Sequence, residues 1–127
     1  MTAIQNEEIT EGLKLRVNNP VNFKRLKGII KANDEKHLLK LIKIGQYLLG
    51  NDGNFNWIDT SEITDMSALF SGNDDFNGDI SMWDVSNVED MSYMFHNASS
   101  FNQPIGDWDV SNVTNMNCMF KHAEAFN

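Results

Sequence analysis

The sequence predicts an α/β repeat solenoid with a small parallel sheet, preceded by an α-helical N-terminal cap. Three observations carry that expectation. The stretch WDVSNVEDMSYMF that begins at Trp83 returns as WDVSNVTNMNCMF at Trp108, so that each position recurs at one fixed offset. A weaker copy one further period upstream sets Ile63, Met66, Leu69, Phe70 and Phe76 in the same slots, with Ile58 in the tryptophan slot. The stretch before these copies is spaced instead like an amphipathic helix, and it is basic where the copies are acidic. A fixed period of about 20 to 50 residues is the mark of stacked-repeat proteins.

Residues 1–18 are ambiguous. Leu13, Leu15 and Val17 alternate like a strand, while Ile9, Leu13 and Val17 fit a helix equally well. Residues 19–50 read as a helical cap. Pro20 suits a first helical position, with Phe23, Leu26, Ile29 and Ile30 on one face. Asn33 or Asp34 can cap a second helix that carries Leu38, Leu39, Leu41, Ile42, Ile44, Tyr47, Leu48 and Leu49 and stops near Gly50. So broad an apolar set predicts burial on more than one side, as expected of a segment that covers the first repeat.

Residues 51–127 read as three 25-residue repeats, the last incomplete. Val88, Met91 and Phe95 fall at i, i+3 and i+7, which predicts a short helix in each unit. Ser86 and Glu89 match a capping box, and Asn97 or Gly72 suits the turn that follows. Pro104 then forbids helix, and a brief strand runs through Ile105 toward Trp108. One unit holds too few apolar side chains to offset the entropy of ordering its own backbone, so each must shelter its neighbour. Met66, Met91, Met94, Met116 and Met119 occupy repeat slots and are expected to fill the core, whereas Met82 lies outside that set.

At 127 residues the chain is one ordinary domain in length. Its single cysteine, Cys118, excludes an internal disulfide and a cysteine zinc site. The N-terminus lacks the basic and apolar regions of a signal peptide, which predicts a cytoplasmic location. Residues 1–50 hold nine Lys/Arg against five Asp/Glu, and residues 51–127 hold one lysine against thirteen Asp/Glu. The expectation is that the basic segment lies against the acidic one. The lysines between 24 and 43 have no interleaved aromatic platform, so a solvated helix face is favoured over a nucleic-acid or membrane surface. No cofactor is implied.

The pattern W-D-V-S-N-V-x-D/N-M-x-x-M-F-x-x-A-x-x-F-N-Q-P-I-G, read over residues 57–127, resembles the BspA-like family of bacterial repeats. These are leucine-rich-repeat-like surface proteins, often lipoproteins, of largely unknown function. The resemblance implies a right-handed coil with a role in adhesion or protein–protein contact. It also implies the cell surface, if the chain is a fragment of a longer exported protein. The chain differs from the family in showing no export signal and only three copies.

Candidate chemistry is sparse. Asp59, Asp84 and Asp109 recur in one slot, and Asp65, Asp90 and Asn115 in another. Charges stacked about 4.8 Å apart repel. Solvent and side-chain bonds to turn amides are expected to offset this rather than a bound cation. Asn77, Asn102 and Asn127 form a third ladder, expected to satisfy backbone groups. Cys118, His122 and His96 lack an orienting partner for catalysis, and His37 reads as surface. No phosphate loop, dinucleotide fingerprint or metalloprotease motif is present, so no enzyme is expected. The slots that vary while the frame persists are the candidate binding surface: Asp79, Met82, Tyr93, His96, Gln103, Asp107 and Lys121. The expected function is protein binding or adhesion, with self-association through an uncovered third repeat as the alternative.

Overall fold

The computed structural model describes residues 27–127. The expectations for residues 1–18, for a helix start at Pro20, and for Phe23 and Leu26 lie outside the described residues. Three regular elements follow: strand β1 (Ile30–Lys31), helix α1 (Glu35–Leu49) and strand β2 (Ile58–Asp59).

Helix α1 begins and ends where its polar residues direct. Asp34 is extended, and its side chain accepts a 2.8 Å bond from His37 N, which satisfies a donor that the helix itself leaves unpaired. Gly50, at φ 81°, takes a left-handed conformation that stops the helix, and its N–H donates to Gln46 O. Leu38, Leu41, Ile42 and Gly45 form the buried face. Gly45 is the point of closest approach, since a Cβ there would collide with Cε1 of Phe55.

Ile29 and Ile30 do not form the helical face that their spacing suggests. Gly28 turns the chain at φ 64°, and Ile30 pairs in parallel with Ile58. Ile30 N donates to Trp57 O at 3.1 Å and Ala32 N to Asp59 O at 2.9 Å. The edge of β2 offers these residues a row of backbone acceptors, and β-branched side chains suit that geometry better than a helix.

Beyond β2 the chain advances by a constant register. Met66, Ala68, Phe70 and Gly72 donate their N–H groups to the carbonyls of Asp90, Ser92, Met94 and His96. One period later, Met91, Tyr93, Phe95 and Asn97 donate in the same way to Asn115, Asn117, Met119 and Lys121. Parallel bridges join Asp65 to Asp90 and Asp90 to Asn115.

The short helix read from Val88, Met91 and Phe95 is not formed. Local bonds close four-residue turns instead, such as Leu69 N to Met66 O and Ser71 N to Ala68 O, and the alternate N–H groups point to the next unit. Ala68, Tyr93 and Cys118 have φ of 57–58°, and Gly72, Asn97 and His122 have 72°, 59° and 62°. Two left-handed residues in every unit break any α-helix. The periodicity that suggests one reflects turns that send these side chains inward. The capping box fails with it: Ser86 bonds Asp84 through both N and Oγ, and Glu89 N donates to Thr64 O.

The core is a pair of aromatic columns. Phe70, Phe95 and Phe120 stack at successive centroid distances of 5.4 Å. Phe76, Phe101 and Phe126 stack beside them at 6.1 and 5.9 Å. Within each unit the two rings lie 4.2 or 4.3 Å apart. Trp83 Nε1 donates to Phe55 O and Trp108 Nε1 to Ile80 O, so these two of the three buried indoles keep a polar partner, whereas Trp57 Nε1 has none among the described residues. Met66 and Met91 are buried as expected, but Met116 in the same slot is 44% exposed, because no described residue covers its side of the last unit.

Candidate functional site

The recurrent carboxylates are engaged locally. Asp59, Asp84 and Asp109 each accept from the backbone N–H two residues on, that of Ser61, Ser86 or Ser111. Asp65 and Asp90 do the same toward Ser67 and Ser92, and Asn115 toward Asn117. The Ser86 hydroxyl and amide hold Asp84 below the usual carboxylate range, with smaller help from Lys27 against repulsion by Asp109. Asp90 and Asp109 are lowered by Ser92 and Ser111 in the same way. These bonds are the offset that the stacked charges require. Among the described residues, no group of three or more His, Cys, Asp or Glu side chains is placed to hold a metal ion.

The asparagine ladders are structural. Asn102 N donates to Asn77 Oδ1 at 2.8 Å, and Asn127 N to Asn102 Oδ1 at 3.2 Å. A further ladder escapes the sequence reading: Asn87 Nδ2 donates to Ser61 O and Asn112 Nδ2 to Ser86 O, both at 2.6 Å. Its signal is the SN pair shared by the two long copies.

The seven candidate surface residues do not form one site. Met82 and Asp107 are exposed and share a slot one period apart. Asp79 is half-buried. Burial pushes its carboxyl up, but bonds from the Ser81 hydroxyl and amide bring it below the ordinary value. Gln103 Nε2 donates to Asn77 O at 2.9 Å, so it braces the neighbouring unit. Tyr93, His96 and Lys121 belong to one flank. Tyr93 lies 5.4 Å from His96 edge to face, and Lys121 occupies the slot one period beyond His96.

Two residues that lack a catalytic partner join that flank. His122 stands 6.1 Å from His96, and the Cys118 thiol beside Tyr93 raises the phenol above its ordinary value. Sequence reasoning misses the hollow that opens beside them. It has a volume of about 500 Å³ and is lined by Gly72, Asp74, Asn97, Ser99, His122 and Glu124. These residues are two slots read across three units, and they vary between copies as the seven do.

The basic segment only partly meets the acidic units, and does so ahead of α1 rather than through it. Lys31 Nζ pairs with Glu62 at 2.6 Å, which raises the Lys31 pKa, and Lys27 acts on Asp84. Lys36, Lys40 and Lys43 are exposed on α1 beside Leu39 and Tyr47 and make no ion pair among the described residues. No helix among the described residues is long and apolar enough to cross a membrane.

A family model described as "Mycoplasma protein of unknown function, DUF285" matches residues 46–127. No curated protein and no solved structure matches the chain.

Proposed function

The chain belongs to the DUF285 family, and we propose that it is a non-enzymatic binding module of the BspA-like kind, a leucine-rich-repeat-like right-handed coil that presents side chains to a protein partner. One observation carries this reading: the buried frame recurs from unit to unit while the exposed slots change. Phe95 and Phe120 repeat, for example, but Tyr93 gives way to Cys118 and His96 to Lys121. Side chains that vary on a constant scaffold are free to specify a ligand. An exposed tyrosine is also a residue type enriched at protein interfaces. The test is saturable binding of purified extracellular-matrix proteins to the immobilised chain, repeated with Tyr93→Gly, His96→Ala and Lys121→Ala combined. A loss of at least about tenfold in affinity supports the reading; binding that is absent, or indifferent to the three changes, overturns it.

A second reading has its own observation. The N–H groups of Met116, Cys118, Phe120 and His122 find no backbone acceptor among the described residues, although their counterparts one period earlier all do. Among the described residues that row is open beside exposed Met116, an edge that a further unit of a longer chain or a second copy can pair with. Sedimentation that depends on concentration, and is lost on Met116→Lys, would favour self-association.

A further inference from the structure

We propose that the hollow lined by Asn97, Ser99, His122 and Glu124 is a subsite for an extended, uncharged glycan lying along the direction in which the units stack. The proposal rests on the reading of the chain as a binding module, and adds a ligand class to it.

The hollow is periodic by construction. Gly72, Asn97 and His122 come from one slot of the repeat and Asp74, Ser99 and Glu124 from another, each set spaced by the period of the repeat. The advance per unit follows the stack, where rings one period apart lie between 5.4 and 6.1 Å from one another. An extended peptide advances about 3.3 Å per residue and would drift out of step with the lining. A glycan repeats hydroxyls at the larger interval of a whole sugar ring.

The lining chemistry selects within that shape. No apolar side chain contributes to it, so an apolar ligand gains nothing there. Asp74 and Glu124 repel phosphates and acidic peptides. A simple polycation would need acceptors alone, yet Asn97 and His122 bring donors as well. Ser99 Oγ leans toward Asp74 O at 3.4 Å, which leaves its oxygen free to accept. Mixed donors and acceptors match a neutral polyhydroxyl compound. His122, in the lining itself, offers one aromatic face on which a sugar ring can rest, and His96 braces it edge to face at 6.1 Å.

The backbone keeps the hollow open. Gly72, Asn97 and His122 are all left-handed, so the chain turns sharply at the same point in each unit. Asn97→Gly therefore removes the side chain without disturbing a conformation that glycine tolerates best.

The experiment is heteronuclear NMR of the chain titrated to millimolar concentration with two probes, the β-1,4-linked hexamers of glucose and of N-acetylglucosamine. Spermidine and inorganic phosphate serve as comparisons. The expected result is saturable shifts at Asn97, Ser99, His122 and Glu124 with at least one hexamer, weakened about fivefold or more by Asn97→Gly and by Glu124→Gln, as the loss of one hydrogen bond entails. Shifts with neither hexamer, shifts with spermidine or phosphate alone, or hexamer binding unchanged in both variants would overturn the proposal. Protein binding that depends on Tyr93, His96 and Lys121 but coexists with a silent hollow removes this inference and leaves the binding module standing.

Discussion

The ring of Phe95 lies 5.4 Å from that of Phe120 and 6° from parallel with it, and it stands in the same relation to Phe70 on its other side. Phe95 is fully buried between two neighbours, whereas Phe120 is covered from one side and is half-buried. Phe95→Ala is expected to cost about 3–5 kcal/mol, by loss of apolar burial and by the cavity left behind. Phe120→Ala is expected to cost clearly less. Urea titration of both variants checks the order, and equal losses would mean that the rings do not shelter one another in sequence.

Ala68 is exposed and held at φ 57°, where any residue with a Cβ is strained. Ala68→Gly relieves that strain at the expense of a more flexible unfolded chain. A net gain of about 0.5 kcal/mol is expected. Gly72→Ala, at φ 72°, should lose about 1 kcal/mol for the converse reason. Thermal melting of the pair reads both signs.

Gly45 lies in the buried face of α1 against Phe55. Alanine is the better helix former by about 1 kcal/mol, so propensity alone favours Gly45→Ala. The collision of its Cβ with Phe55 Cε1 opposes this, and overpacking of that kind costs about 1–3 kcal/mol. Net destabilisation is expected in denaturant melts. A neutral or stabilised variant would show that α1 does not press on Phe55.

Acid should loosen the stack. The carboxyls of Asp79, Asp84, Asp90 and Asp109 all lie below the ordinary value. Groups depressed on folding contribute stability that is fully present above the unfolded value, about 3.9, and is lost as pH falls through the lower folded values. Stability should therefore hold between neutrality and about pH 5 and decline below about pH 4. Ser86→Ala removes the hydroxyl that does most to lower Asp84, so it should flatten part of that decline. Melting temperatures measured across the acid range test both statements.

Much of the frame is readable without coordinates. The slots of Phe70, Phe95 and Phe120 are visible as spacing, and a spacing kept across three copies already states which side chains share a column. Asp34 and Gly50 mark the ends of α1 because capping is chemistry local to a few residues. The errors come where distant backbone pairing competes with local pattern. Ile29 and Ile30 fit a helix face locally, yet the acceptors of Trp57 and Asp59 lie far along the chain. Val88, Met91 and Phe95 match helical spacing, but the left-handed angle of Tyr93 has no signature in its residue type, and Asn97, whose type does favour that angle, suits the end of a helix equally well. The hollow between Asp74 and Glu124 escapes notice although its slots vary as the seven chosen ones do, since variation says which residues are free and not which of them border a concavity.

The most direct measurement of the central claim is a nuclear Overhauser spectrum with selectively labelled phenylalanines. Residues one period apart in register predict cross-peaks from Phe95 to both Phe70 and Phe120, and from Phe101 to both Phe76 and Phe126. A folded chain with contacts inside the pairs Phe95–Phe101 and Phe120–Phe126, but none between rings one period apart, would contradict it.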